Sequence, residues 1–302
     1  MFVRSILLHE NPLGLPKVKL NNGLKMSSKL PPPQLPRMSR GLPKKEKIFG
    51  VKHIIAVASG KGGVGKSTAS VNLAVSLVKL GKKIGLLDAD LFGPSIPKMM
   101  NLSKNNEPDW DEKKSLMIPL VNYGVKCMSI GFLVKEENAV VWRGLMVMKA
   151  LEQLIRQVDW SDIDVLIIDL PPGTGDTQLT ISQTLPISGA VIVSTPQDVA
   201  LSDAIKGVAM FKKVDVPILG LIQNMSIFSC PNCGQKTHIF GKDGLKKFSE
   251  KIGVDLLCDL PLDRDVCIQS DFGVPISISN PEGVHAKAFL DFGKNVLKKL
   301  GI

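Results

Sequence analysis

The sequence predicts an α/β fold: a doubly wound, mostly parallel β-sheet with helices on both of its faces. Apolar, β-like runs alternate with helix-patterned segments from residue 54 onward, which is typical of right-handed crossover units. A glycine-rich segment directly follows the first apolar run, and an aspartate follows or ends two of the later runs. Because ligands of doubly wound sheets bind at the carboxyl ends of the strands, we expect the functional site at that edge.

The individual elements follow from hydrophobic periodicity. Continuous apolar runs predict buried strands at 54–58, 84–87, 163–169, 190–194, 218–222 and 256–260, and a hairpin at 116–121 and 125–130. Apolar positions at helical spacing predict helices at 66–80, 142–158, 177–185, 242–252 and 283–300. A further helix is predicted to follow residues 195–197 and to end at residue 213. A short helix is expected near 92–97 and a helix or turn at 262–270. The polar segment 101–114 is predicted to be a surface loop.

The glycine-rich segment has the context of a phosphate-binding loop, because it joins a predicted strand to a predicted helix. Its glycines let the backbone pass close to a polyphosphate, and the helix N-terminus adds partial positive charge. Lys66 would reach the β- and γ-phosphates of ATP, and the Ser67 hydroxyl would bind Mg²⁺. The predicted nucleotide-binding residues of this loop are Gly60, Lys61, Gly62, Gly63, Val64, Gly65, Lys66, Ser67 and Thr68.

Three aspartates lie at the predicted carboxyl ends of buried strands. Asp88 and Asp90 follow the 84–87 run, and Asp169 ends the 163–169 run in the position of a Walker B acid. Buried carboxylates are costly unless they are paired or bind a cation, so a Mg²⁺–water shell and an attacking water are their predicted partners. Capping of the next helix is an alternative role for Asp88 or Asp90, and the two roles are compatible.

Two further positions at this edge are candidate ligand contacts. Gly173, after Asp169, is predicted to sense the γ-phosphate, while Asp176 either belongs to the same switch or caps the helix at 177–185. Asn224 follows the 218–222 run. Its amide has the donor and acceptor needed to read an adenine edge, but a turn-forming asparagine fits the pattern equally well.

Cys230 and Cys233 form a Cys-Pro-Asn-Cys motif. Two thiolates three residues apart can bind one metal centre, but such a centre takes four ligands and the chain has no second motif of this kind. A twofold dimer in which each copy gives one pair supplies four, and two pairs suit a [4Fe-4S] cluster or zinc. A redox disulfide is a third interpretation of the motif.

Composition and charge argue against several functions. The net charge of +10 lies mostly in residues 1–47, which hold ten Lys or Arg and two Glu. The rest of the chain is therefore nearly neutral, which argues against a nucleic-acid phosphate footprint. No apolar run approaches the ~20 residues of a transmembrane helix. Five scattered cysteines indicate a reducing compartment rather than a disulfide scaffold.

Residues 1–38 are predicted to be a mitochondrial presequence and residues 39–302 the folded domain. The leading segment is basic, rich in proline and poor in acids, so we expect it not to fold alone. Residues 2–8 can form a short amphipathic turn with Arg4 on its polar side, and Arg37 suits a processing site. An ordinary basic tail is the alternative. The presequence predicts localisation in the mitochondrial matrix.

Several motifs together resemble the deviant Walker A ATPases of the Mrp/MinD/ParA group, which are P-loop NTPases of the SIMIBI type. The shared motifs are the glycine-rich loop with its second lysine at Lys61, Asp-Ala-Asp at 88–90 and Asp-Leu-Pro-Pro-Gly-Thr-Gly-Asp at 169–176. The motifs at 92–95, 142–144, 195–198 and 223–226, with the cysteine pair, resemble the Mrp branch of iron–sulfur carriers and most closely its mitochondrial members. The resemblance covers about residues 39–302.

The resemblance implies roles for the nucleotide-site residues in a homodimer that sandwiches two ATP. Lys61 would reach the nucleotide of the partner copy, and Asp90 would position the attacking water. Asp88 and Asp169 would serve the Mg²⁺ shell, and Asn224 would hold adenine. The expected catalytic residues are Lys61, Lys66, Asp90 and Asp169. ATP hydrolysis is expected to be slow, because no glutamate is evident beside the expected water position.

For the cysteine pair, the resemblance implies a labile [4Fe-4S] cluster. Cys230 and Cys233 would bridge it between the two copies, for transfer to apoproteins that include respiratory complex I subunits. Two alternatives come from other classes of protein. One is a ParA- or MinD-like switch that binds DNA or a membrane, and the other is a zinc-bound scaffold that binds nucleotide but hardly hydrolyses it.

Overall fold

The strands and helices alternate along the chain, as their sequence pattern predicts. The structure is a computed structural model that describes residues 45–91, 93–102, 107–133 and 144–302. Its strands are β1 (Val51–Ser59), β2 (Ile84–Asp88), β3 (Trp110–Asp111), β4 (Leu116–Met117), β5 (Leu120–Asn122), β6 (Val125–Ser129), β7 (Ile163–Asp169), β8 (Gly189–Ser194), β9 (Ile218–Gln223), β10 (Phe228–Ser229), β11 (Lys236–Thr237) and β12 (Leu256–Asp259). Its helices are α1 (Lys66–Lys79), α2 (Ile96–Met99), α3 (Gly144–Arg156), α4 (Asp176–Thr184), α5 (Asp198–Lys213), α6 (Gly244–Ile252), α7 (Arg264–Asp271), α8 (Ile276–Ser279) and α9 (Val284–Leu300).

One sheet of 8 strands forms the centre of the described part, in the order β12-β9-β8-β1-β7-β2-β6-β5. All neighbouring pairs are parallel except β5 with β6, which is an antiparallel hairpin at one edge. The central strands β1, β2, β7 and β8 are buried for most of their length, which explains why their sequences are continuous apolar runs rather than alternating ones. The register places Asp169 of β7 level with Val57 on one side and Asp88 on the other.

The core is close-packed around these strands. Trp160, just before β7, is 1% exposed, and its indole N–H donates to the Leu154 carbonyl at 3.2 Å. Its ring lies against Gly85 of β2, where a methyl group would come within 3.0 Å of the indole. A glycine is therefore needed inside β2, although it weakens an apolar strand. On α9, Phe289 and Phe292 are fully buried and the lysines face outward.

The fold class predicted from the sequence is confirmed, and the predicted strands and helices agree with the structure within a few residues. The hairpin at 116–130 is also confirmed, although its first run divides into β4 and β5. The prediction of a loop at 101–114 is partly wrong, because Trp110 and Asp111 pair with Leu116 and Met117. Two-residue strands have no period that a sequence pattern can reveal, and β10 and β11 escaped prediction for the same reason.

Some sequence predictions concern residues outside the described ranges. These are the presequence at 1–38, Phe92 in the 92–95 motif, and Trp142 and Arg143. Across the ranges that are described, none of the helices combines the length and apolar character needed to cross a bilayer.

Candidate nucleotide site and cysteine hairpin

The glycine-rich loop joins β1 to α1 as a bare backbone cradle. Gly63 and Gly65 have φ values of 79° and 87°, in the left-handed region that favours glycine. A methyl group on Gly62 or Gly63 would meet no atom within 4 Å, so the loop presents open backbone there. Gly65 has no side chain to cap α1, which leaves the N–H groups of the first helical turn available to an anion. These residues fit a polyphosphate.

The opposite side of the loop is packed against the protein. Val64 is 2% exposed, and a methyl group on Gly60 would collide with Asp203 of α5. A methyl group on Gly65 would collide with the Asn224 amide. The packed side of the loop is thus held by α5 and Asn224. Gly60 and Gly65 are required because these neighbours leave no room for a side chain, and Gly65 also has a positive φ.

Asp169 is the centre of a buried polar network at the end of β7. It is fully buried, and its Oδ2 lies 2.7 Å from Lys66 Nζ and accepts from the Ser67 hydroxyl at 2.6 Å. Its Oδ1 accepts from the Ser70 hydroxyl at 2.6 Å. This arrangement suits a Mg²⁺ site with the nucleotide, because Ser67 and Asp169 offer hard oxygen ligands side by side.

Asp88 lies beside Asp169 on the neighbouring strand and is also fully buried. Its Oδ2 accepts from the Ser95 and Ile96 N–H groups and the Ser129 hydroxyl, at 3.1, 3.2 and 3.1 Å. The N–H groups lie at the start of α2, so the capping role weighed from the sequence is present. Burial, and then repulsion from Asp169, raise the pKa of the Asp88 carboxyl to about 7.

The remaining switch positions border this network. The Asp90 N–H donates to Asp88 Oδ1 at 3.1 Å, which ties the two acids of the Asp-Ala-Asp motif together. The Gly173 N–H donates to the Ser59 carbonyl at 2.9 Å, and a methyl group on Gly173 would meet open space. Asp176 is the first residue of α4 rather than its cap, which is Gly175, so the capping interpretation of Asp176 is wrong.

Lys61 is held apart from the buried acids. Its Nζ donates to Gln197 Oε1 at 3.2 Å, and Gln197 precedes α5. Among the contacts of the described residues, Lys61 does not join the Asp169 network.

Asn224 and Thr68 border a cavity of about 470 Å³ beside the loop. Asn224 Nδ2 donates to the Val64 carbonyl at 2.9 Å, and its Oδ1 accepts from the Met225 N–H at 3.0 Å. The amide therefore braces the loop from the cavity side. The wall also contains Pro261, Leu262, Asp263, Lys98, Cys267 and His285. The size and mixed polarity suit a nucleoside.

The cysteine motif lies on the turn of a hairpin formed by β10 and β11. The Cys230 N–H donates to the Gln235 carbonyl and the Gly234 N–H to the Cys230 carbonyl, both at 2.9 Å. Cys230 is half-buried and Cys233 is exposed. The N–H groups of Cys233 and Asn232, and the Cys233 thiol, lower the pKa of Cys230, which favours the thiolate that binds metals. His238 Nδ1 lies 2.9 Å from the Ser226 carbonyl, facing the backbone.

The other cysteines differ in exposure. Cys127 and Cys258 are buried and Cys267 is exposed. Burial, with repulsion from nearby aspartates, raises the pKa of Cys127 and raises that of Cys258 to about 12. Among the described residues, no group of three or more His, Cys, Asp or Glu side chains is placed to hold a metal ion.

The structure thus brings most of the predicted nucleotide residues together and keeps the cysteine pair on a separate hairpin. Sequence reasoning missed Ser70, which binds Asp169, and the cavity wall from α2 and α7. Ser70 lies four residues after Lys66 and so on the same helical face, which is the only sequence signal for it. The wall from α2 and α7 depends on tertiary packing and has no sequence signal.

The open cradle, the buried Lys66–Asp169 pair and the adjoining cavity define a P-loop nucleotide-binding protein. A family profile described as ParA, NUBPL iron-transfer P-loop NTPase, matches residues 50–297. The chain belongs to this family.

Similar proteins carry related names. The iron–sulfur cluster transfer protein NUBPL of Mus musculus is 57% identical over 265 residues, which span 87% of this chain and 82% of that protein. The mitochondrial iron–sulfur protein required for NADH dehydrogenase of Arabidopsis thaliana is 55% identical over 84% of this chain and 80% of its own length. The nucleotide-binding protein of Archaeoglobus fulgidus, solved with ADP, superposes with a TM-score of 0.68 and 37% identity, covering 80% of this chain and 93% of that one.

Replacing Lys66 by alanine is expected to lower the free energy of unfolding of the nucleotide-free protein by roughly 3 kcal/mol, because it leaves the buried Asp169 charge without its ammonium partner. Urea denaturation measures this loss. Lys52→Ala is the matched control, since its ion pair with Asp164 has the same 2.7 Å separation but the lysine is 68% exposed rather than 7%. Similar losses in the two variants would contradict the assigned role of burial.

Asp88→Asn is expected to change the pH dependence of stability. The unfolded chain loses the Asp88 proton near its usual pKa of 3.8, whereas the folded chain keeps it until about pH 7. The folded state thus binds more protons between these values, and the parent loses stability from this group as the pH rises. The stability of the variant relative to the parent should therefore increase from about pH 4 to about 7 and then level off. Denaturation in the presence of EDTA measures it, and a constant difference would contradict the raised pKa.

Alkylation with iodoacetamide near neutral pH is expected to modify Cys230, Cys233 and Cys267 in the native protein, but not Cys127 or Cys258, because those two thiols are buried and their pKa values are raised. Peptide mapping by mass spectrometry reads each site. Denatured protein, in which all five cysteines should react, is the control. Rapid modification of Cys258 in the native state would show that β12 opens.

Proposed function

We propose that this protein is an ATP-dependent iron–sulfur cluster carrier. Two copies would hold a labile [4Fe-4S] cluster between their cysteine hairpins and transfer it to apoproteins. The observation that carries the proposal is the combination, in one chain of this family, of a phosphate cradle beside the buried Lys66–Asp169 pair with a hairpin that carries two thiols.

The nucleotide proposed is ATP with Mg²⁺. The bare backbone from Gly60 to Gly65 and the α1 N-terminus would receive the phosphates, with Lys66 on the β- and γ-phosphates. Ser67 and Asp169 would hold Mg²⁺, with Asp88 in its outer shell. The ion would neutralise the phosphate charge. The adenosine would occupy the cavity bordered by Thr68 and Asn224.

Hydrolysis is proposed to be slow and to act as a switch. Asp90 would position the attacking water, and Gly173 would exchange its bond to Ser59 for the γ-phosphate. Lys61, which is held by Gln197 within its own chain, would cross to the nucleotide of the second copy. ATP would thus favour one state of a homodimer, and that state would differ in its hold on the cluster.

The cluster is the cargo, and Cys230 and Cys233 are its proposed ligands. A four-iron cluster takes four thiolates, and each hairpin offers two on an accessible turn. The lowered pKa of Cys230 supports binding, because only the thiolate is a ligand. Two hairpins related by a twofold axis would complete the set.

The proposed recipients are apoproteins of respiratory complex I, and the proposed compartment is the mitochondrial matrix. The name of the Arabidopsis relative, which is mitochondrial and required for NADH dehydrogenase, supports the complex I recipients and a mitochondrial location. In this proposal, residues 1–38 are a cleaved presequence and residues 39–302 are the carrier domain. The basic, acid-poor composition of the leading segment supports that division.

The proposal predicts that anaerobic reconstitution of the full chain with iron and sulfide gives a brown dimer with about one four-iron cluster per pair. Cys230→Ala should lose both colour and cluster, since one ligand of each pair is gone. Cys267→Ala, which removes an exposed thiol outside the hairpin, is the matched control and should keep both. Absorbance, metal analysis and native mass are the measurements.

Three outcomes would contradict the proposal. A colourless protein, or a cluster indifferent to Cys230→Ala, would leave a nucleotide switch of the ParA or MinD kind. Steeply salt-dependent DNA binding, or binding to lipid vesicles, would then be tested. Tightly bound zinc in anaerobically purified protein would instead indicate a scaffold.

A further inference from the structure

The side chain that holds Lys61 lies in a turn that also packs against Gly241 and Gly244, in the segment after the cysteine hairpin. The turn consists of Thr195, Pro196 and Gln197, between β8 and α5. Gln197 Oε1 accepts from Lys61 Nζ at 3.2 Å. Both groups are half-buried, so the bond is accessible to competition.

The other side of this turn touches the segment that leads out of the hairpin. A methyl group on Gly244, the first residue of α6, would lie 2.7 Å from the Pro196 carbonyl oxygen and 2.6 Å from Leu201 Cδ1. A methyl group on Gly241 would lie 3.6 Å from the same carbonyl. Gly241 is four residues after the last residue of β11, Thr237. A shift of Pro196 would therefore press on residues 241–244, which follow the hairpin.

One observation favours a second arrangement of this turn. The Thr195 hydroxyl is buried and, in the part of the chain described, has no hydrogen-bond partner. An unpaired buried hydroxyl costs free energy that another arrangement of the turn can recover. The helix that follows the turn, α5, also contacts the nucleotide loop, because Asp203 lies against Gly60. The turn and α5 thus touch both functional parts of the chain.

We propose that Gln197 is a positioning residue that couples the two parts, an inference that rests on the proposed function. In the resting chain, Gln197 holds Lys61. When Lys61 crosses to the nucleotide of the second copy, Gln197 loses this bond, and the Thr195–Gln197 turn becomes free to move against Gly241 and Gly244. The nucleotide state is in this way transmitted to the hairpin that holds the cluster.

The inference predicts opposite effects for two substitutions of Gln197. Gln197→Ala removes the competitor for Lys61, so dimerisation should need about two- to tenfold less ATP. Gln197→Glu replaces the neutral acceptor of the Lys61 ammonium by a carboxylate, which adds an ion pair to the hydrogen bond, so dimerisation should need more ATP. A residue with only a structural role would move both variants in the same direction.

The first experiment measures the mass of the full chain against ATP concentration, with Lys61→Ala as reference. If Lys61→Ala dimerises as the parent does, the proposed ATP sandwich is wrong, and the inference falls with it. If Lys61→Ala fails to dimerise but both Gln197 variants match the parent, only the inference is wrong. Opposite shifts for Gln197→Ala and Gln197→Glu would support it.

The second experiment measures coupling on the cluster-loaded dimer. The rate of cluster transfer to an apo four-iron ferredoxin is compared with ATP and without it. The ratio of the two rates should approach one in Gln197→Ala and should change in Gly244→Ala, where the added methyl group displaces Pro196. Gly207→Ala is the matched control, because its methyl group, also added at a glycine in this region, would meet only Ile192 at 4.0 Å.

Parental ratios in both Gln197→Ala and Gly244→Ala would overturn the inference. If Gly244→Ala fails to fold, the ratio in Gln197→Ala alone decides, because Gln197 is only half-buried and its loss leaves no cavity in the core.

Discussion

The buried carboxylate of Asp169 is the group on which the rest of the site depends. It lies at the end of the central strand β7, without contact with solvent, and a charge in that position requires compensation. The Lys66 ammonium and the Ser67 and Ser70 hydroxyls supply it, all from the first turns of α1. These contacts fix the start of α1 relative to the sheet. They thereby also fix the loop in front of the helix, whose open backbone forms the phosphate cradle.

The parallel register brings a second acid, Asp88, beside the first, and the structure manages the two differently. Asp169 is paired with a cation, whereas Asp88 accepts hydrogen bonds from backbone N–H groups and Ser129. The repulsion between them helps to raise the pKa of Asp88 toward neutrality. The same two strand ends that could bind a metal therefore place two carboxylates close together, and each needs its own partners. The fold accommodates the two buried carboxylates because α1 and α2 begin beside them and supply hydrogen-bond donors.

Much of the fold and the centre of the site were predictable from the sequence, and the reasons are physical. Strands buried on both faces leave unbroken apolar runs, and the strand–loop–helix context identifies Lys66 and Ser67. The tertiary contacts of the site residues were harder to predict from the sequence. Gln197 is 136 residues from Lys61, and nothing in local periodicity connects them. Asn224 was assigned to adenine, but its amide also braces Val64, a contact that only tertiary packing reveals. The cysteine motif was evident from the sequence, but the two strands of its hairpin were not, because strands of two residues are too short to show a pattern.

The burial of Cys127 and Cys258 has a consequence for any protein that handles iron. Iron binds thiolates rather than thiols, so a buried thiol with a raised pKa is a poor ligand. Here the two core thiols stay protonated behind packed strands, whereas on the hairpin Cys230 is half-buried and Cys233 is exposed. In the proposed carrier, burial would therefore keep the two core thiols away from the metal that the hairpin thiols bind.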